Sequence, residues 1–222
     1  MGDENKQLHI IQKEWKVKDV VISILIIISF GAIIGLVLPE KFLNEYLISH
    51  TIELIAIIVA ILYLYFKYPF NIFTKIGITK FICYTAIGSI CCLIINFPLA
   101  IWQGKTYLRP KEYQVFTDNS SYGQIYLIFL LCVSGPILEE ILFRGFIYRI
   151  LKNRYNIVIA AIISSLIYML IHNLQIQILY LFLPSLIYAY VYEKTSSILS
   201  SIVTHSLNNT LWFLFTYWGL NR

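Results

Sequence analysis

The stretch QIYLIFLLCVSGPILEEILFRG, residues 124–145, decides what kind of protein this is. Residues 124–138 carry no charge; then Glu139 and Glu140 stand side by side, with Arg144 four residues beyond the second. A charged side chain near the centre of a bilayer costs about 2.5–3.5 kcal/mol even on a lenient insertion scale. Three of them in one apolar segment therefore need a reason, either mutual pairing or chemistry.

The rest of the chain sets that segment in a membrane. Of its 222 residues 59% are hydrophobic and only 13% charged, with a mean hydropathy of +0.73. Soluble domains carry about 25% charged residues. Such a composition predicts an all-α, polytopic transmembrane helix bundle in which nearly every helix is apolar all round. Seven long apolar segments run at 18–38, 50–70, 77–101, 124–147, 156–172, 174–191 and 197–218. We expect about seven spans, read as helices although Ile, Val and Tyr favour strands, because backbone in lipid has to satisfy its own hydrogen bonds. The expected organisation is a cytoplasmic tail at 1–17, N-terminal transmembrane helices at 18–101, a polar loop at 102–123, a catalytic helix bundle at 124–218 and a short tail at 219–222. The first span is too long for the core of a cleaved signal peptide and reads as a retained anchor.

Charge gives the orientation. With the N-terminus inside, twelve of the seventeen Lys and Arg residues fall on inner segments, which predicts an integral membrane protein with a cytoplasmic N-terminus. The net charge of +5 is this topology signal together with attraction to anionic membrane lipid, and gives no reason to expect nucleic acid as a partner. The four cysteines, Cys83, Cys91, Cys92 and Cys132, all lie in apolar segments without CxxC spacing, so neither a disulfide framework nor a thiolate metal site is expected. They read as buried apolar filling.

Helical spacing makes the charged motif interpretable. Glu140 and Arg144 are i, i+4 and share a face, in the favoured acid-before-base order. Glu139 is turned away by about 100°. Arg144 thus neutralises Glu140, and Glu139 is left without a partner, free to act as a general base. Pro136, three residues earlier, loosens the helix and admits water near that carboxylate. The chain turns at about residues 152–155, so Glu139 and His172 come to the same depth on an antiparallel hairpin rising about 1.5 Å per residue. His205 lies past a second turn near Glu193 and Lys194, and Asn209 is i+4 from His205 on the same face. A carboxylate, two imidazoles and an amide thereby converge on one intramembrane pocket, a set able to activate water and stabilise an oxyanion.

These residues carry a resemblance. Glu139-Glu140-Ile-Leu-Phe143-Arg144, Tyr168-x-x-x-His172 and His205-x-x-x-Asn209 resemble the EExxxR, FxxxH and HxxxN motifs of the CPBP family of CAAX prenyl endopeptidases, bacteriocin-processing proteins and Abi-type intramembrane proteases. The match covers about residues 124–215, and its sole departure is Tyr168 where the family usually has Phe. The resemblance implies an intramembrane endopeptidase acting on a membrane-associated peptide or protein. In it Glu139 with His172 activates water, His205 with Asn209 holds the oxyanion, and Glu140 with Arg144 supports the site. The compact chain is more similar to the bacterial members, which implies a bacterial cell membrane. As to cofactors, Glu139, His172 and His205 can fill three Zn2+ positions and leave one for water, while a metal-free glutamate–histidine dyad can do the same work. Two rival readings stay open. One is a non-catalytic membrane immunity or sensor-modulating protein of the same fold. The other is a transporter with the Glu/His cluster as a proton relay.

Overall fold

The computed structural model describes residues 16–37, 44–68, 74–103, 121–172 and 178–220. Most of the expected N-terminal tail and of the polar loop at 102–123 lies outside these. The described residues fold into seven helical elements and no strand. They are α1 (Val17–Val37), α2 (Asn44–Lys67), α3 (Ile78–Gln103), α4 (Ser121–Lys152), α5 (Ile157–Ile171), α6 (Ile178–Thr195) and α7 (Ile198–Leu220). Runs of β-branched residues such as Ile157-Val-Ile in α5 are helical nonetheless, because lipid offers the backbone no other partner.

Among the described residues three helices, Leu47–Lys67, Ile78–Pro98 and Ser121–Lys152, are long and apolar enough to cross a bilayer, and Ile157–Ile171 is a shorter apolar helix. The expectation of helices apolar all round therefore needs a correction. One face of α7 carries the buried polar residues Ser200, Ser201, Thr204 and His205, and α6 contributes buried Ser185. These faces turn inward, while Leu199, Leu207, Leu214 and Phe215 of α7 stay exposed on the outside. Polar in and apolar out is the arrangement a bundle with an internal polar site requires in lipid.

The core sits around the second half of α4. Leu142, Phe143, Phe146, Ile147, Ile150 and Leu151 are buried against Ile57, Ala60 and Leu64 of α2 and Ile198 and Ile202 of α7. Both α2 and α7 pack directly on α4, while α3 packs on α6 and α7. The short connection to α5 is set by Asn156, whose side chain caps the helix by accepting from the Ile159 N–H at 2.9 Å. The ends of α4 and α6 are tied together by Glu193, which accepts from Tyr148 at 2.8 Å and from Lys152 at 2.6 Å. The cysteines divide: Cys92 and Cys132 are buried, as expected of apolar filling, but Cys83 is exposed, and all four are free.

α4 is not one uniform helix. It widens twice, at Leu130–Ser134 and Ile141–Ile147, on either side of the Gly135–Glu140 turn. In the first wide turn the Gly135 N–H reaches back five residues to Leu130 O. Pro136 is the cause on the sequence side, since it has no N–H to offer and its ring crowds the preceding turn. Gly135 is the accommodation: a Cβ there would stand 2.9 Å from the Leu130 carbonyl oxygen. Such single-turn widenings frequently mark functional sites, and here they bracket the two glutamates.

Candidate active site

The two neighbouring carboxylates have different surroundings. Glu140 and Arg144 are both fully buried and paired at 3.0 Å. A second guanidinium nitrogen of Arg144, Nη2, donates to the backbone oxygen of Ser185 at 2.5 Å and to its Oγ at 2.6 Å. Glu140 in turn accepts from Ser201 Oγ at 2.5 Å through one oxygen and faces His205 Nδ1 at 3.0 Å through the other. One buried ion pair thus joins α4 to α6 and α7, and its charges are offset by direct hydrogen bonds, the condition for tolerating them in a dry interior.

Glu139 points elsewhere. Its Oε2 lies 3.7 Å from His172 Nε2 and 3.9 Å from His205 Nε2. This oxygen is buried and has no hydrogen-bond partner. Glu139 thus stands between two imidazoles. The two rings are held from behind. His172 Nδ1 lies 2.8 Å from the carbonyl oxygen of Tyr168, one turn back on α5, and His205 Nδ1 lies against the Glu140 carboxylate. Both rear partners are pure acceptors, so each Nδ1 carries a proton and each Nε2 presents its variable position to Glu139. Glu139 and His172 retain partial exposure, 14% and 23% of their side chains, whereas His205 is 2% exposed. The site is therefore exposed on the His172 side and closed at His205.

Asn209 has a partner on α4. Its Nδ2 donates to Leu131 O at 2.9 Å. That carbonyl needs an outside donor: the Gly135 N–H goes to Leu130 O instead, and Pro136, five residues on, has no N–H. One N–H of Asn209 thus clamps α7 to the first wide turn of α4. Asn208 accepts from Asn96 Nδ2 and donates to the Tyr188 hydroxyl, each at 2.9 Å. Tyr188 stacks on the His205 ring at 4.4 Å between centroids. Sequence reasoning missed Ser185, Ser201, Tyr188 and Asn96. Ser201 had a signal, standing one turn before His205; the other three fall outside every motif.

Among the described residues no group of three or more His, Cys, Asp or Glu side chains is placed to hold a metal ion. No step is assigned to a metal.

Comparison with known proteins places this arrangement. Residues 121–211 match the family described as Rce1-like, type II CAAX prenyl endopeptidase. The chain is 35% identical over 85 residues to the Bacillus subtilis (strain 168) protein named "Putative membrane peptidase YdiL", covering 38% of this chain and 34% of that protein. It is 31% identical over 152 residues to "UPF0177 protein YaiH" of Lactococcus lactis subsp. lactis (strain IL1403), covering 66% of this chain and 61% of that protein. The chain thus spans between about a third and three fifths of the length of these relatives. No solved structure matches it. The matched segment opens where α4 begins and closes inside α7, so it holds Glu139, His172, His205 and Asn209 together; over residues 121–211 the chain is similar to the Rce1-like family of type II CAAX prenyl endopeptidases.

Proposed function

We propose that the protein is an intramembrane endopeptidase that hydrolyses a peptide bond of a membrane-associated peptide or protein. The observation that carries this reading is the unpartnered Glu139 oxygen facing the Nε2 atoms of two imidazoles, the three side chains arriving from three helices. A water between Glu139 and His172 loses a proton to the carboxylate as its oxygen attacks the scissile carbonyl carbon. The carbonyl π electrons move onto oxygen, and His205, protonated on Nε2, together with the second N–H of Asn209 donates to that oxyanion. Collapse of the intermediate reforms the carbonyl and breaks the C–N bond. The departing amine takes the proton held by Glu139, which restores the resting carboxylate. Glu140 and Arg144 touch no reacting atom; they fix the His205 ring and the α4–α6–α7 junction.

The test is cleavage of membrane-anchored peptides by purified protein in lipid vesicles, with products read by mass. Glu139→Ala and His172→Ala are expected to lower turnover by at least about 10²–10⁴-fold, the usual contribution of a general base, while both variants remain inserted. Wild-type cleavage by Glu139→Ala overturns the reading and favours the non-catalytic one.

A further inference from the structure

We propose that Tyr168 is a catalytic residue, its hydroxyl being a further hydrogen-bond donor to the oxyanion; the inference rests on the endopeptidase reading above. Tyr168 is 4% exposed on α5, and a buried phenol hydroxyl has to find a partner. The groups it meets belong to the site. Its oxygen lies 3.5 Å from His205 Nε2, the atom that faces Glu139 Oε2 at 3.9 Å. With His205 Nδ1 turned toward Glu140 at 3.0 Å and Nε2 protonated as in the hydrolysis above, the Nε2–H donates to the phenol oxygen, and the phenol O–H is left to donate in its turn. When an oxyanion forms beside His205, the phenol O–H and the Nε2–H both turn to it as the stronger acceptor. The phenol keeps its proton throughout, and no electron pair other than those of the hydrolysis moves.

Packing alone does not account for the hydroxyl. The Tyr168 ring is held edge-on by Phe143 at 5.0 Å and lies 4.4 Å from the His172 ring, with the Arg144 guanidinium 5.6 Å from its centre. Phe would make each of those ring contacts, and Phe is what the FxxxH pattern has at this position. The hydroxyl is the added element, and it stands where Asn209 has already committed one N–H to Leu131 O. Tyr168 also touches the other imidazole, since its carbonyl faces His172 Nδ1 at 2.8 Å.

The experiment uses the full chain in phosphatidylglycerol vesicles and a quenched fluorescent peptide ending in a farnesylated Cys-aliphatic-aliphatic-X sequence. Tyr168→Phe is expected to lower kcat on the order of 10²-fold, the loss typical of one oxyanion donor, with KM unchanged because the contact is made in the transition state. Glu139→Ala runs beside it. A dead Glu139→Ala with a fully active Tyr168→Phe overturns this inference alone. Cleavage by Glu139→Ala equal to wild type, or none by wild type, removes the endopeptidase reading for this peptide and the tyrosine's role with it. A substrate-independent arm follows the 15N signal of His205 Nε2 in histidine-labelled protein. Loss of the phenol hydroxyl in Tyr168→Phe is expected to shift that signal, and an unmoved signal also overturns the inference.

Discussion

Glu139 and Glu140 differ by one position and have opposite tasks, because a helix turns about 100° per residue. Glu140 is enclosed by Arg144, Ser201 and His205, while Glu139 faces the open side of the pocket. Glu140→Gln keeps the shape and removes the charge, leaving Arg144 buried without its counterion. Breaking a buried pair in this way costs about 3–5 kcal/mol, so we expect a lower melting temperature and a reduced folded yield. Full yield with lost turnover would instead put Glu140 among the reacting groups. The two asparagines give a second contrast. Asn209→Ala is expected to cut turnover by about 10²–10³-fold through the lost oxyanion donor. It should also cost about 1–3 kcal/mol of stability, because Leu131 O loses the Asn209 donor. From spacing alone Asn208 reads as an indifferent control. It is not one, since it links Asn96 to Tyr188. Asn208→Ala should therefore lower stability by a similar amount while keeping most turnover per folded molecule. Calorimetry and turnover on both variants check this, and equal turnover losses would contradict the division.

At the scale of the element, the decisive feature is the pair of wide turns in α4. Gly135→Ala places a methyl carbon 2.9 Å from Leu130 O and 3.4 Å from Glu139 Oε1. The carbonyl is backbone and cannot step aside without closing the wide turn. We expect Gly135→Ala to misplace Glu139 and lose at least about tenfold in turnover, a displacement near 1 Å being enough for more than that. Unchanged turnover would show that the turn does not position the carboxylate. This element also shows what sequence reading reaches. The pairing of Glu140 with Arg144 follows from i, i+4 spacing, and the shared depth of Glu139 and His172 follows from rise per residue and one turn. Both are local arithmetic. The wide turn was only hinted at by Gly135-Pro136, and the partners of Arg144 and His205 on α6 were out of reach. Ser185 and Tyr188 are joined to the site by packing between helices far apart in sequence, which no periodicity records.

For the whole molecule, the question is what the helices before residue 121 do for a site contained in the matched segment. α1 and α2 are joined at one end by Asp19, which is fully buried and accepts from Tyr63 at 3.0 Å, from Lys67 at 2.5 Å and from Tyr68. That cluster is a clamp remote from the pocket. α3 is closer to the chemistry, because its Asn96 reaches the Asn208–Tyr188 pair that backs His205. Its approach depends on Gly88: a Cβ there would lie 2.6 Å from Val191 Cγ2 and 2.9 Å from Thr204 Cγ2. Val191 and Thr204 are both fully buried, and their branched side chains have little rotamer freedom with which to yield. Gly88→Ala should therefore push α3 off α6 and α7 at the cost usual for overpacking, about 1–3 kcal/mol, and break the Asn96–Asn208 bond. Turnover should fall along with melting temperature, because the support behind His205 is lost. Asp19→Ala, by contrast, should lower melting temperature and leave turnover per folded molecule near wild type. The double variant Gly88→Ala/Val191→Ala removes the closer of the two clashes and is expected to regain part of both quantities. If Gly88→Ala is as active as wild type per folded molecule, the N-terminal helices serve only as a scaffold, and the backing of His205 by α3 has no part in turnover.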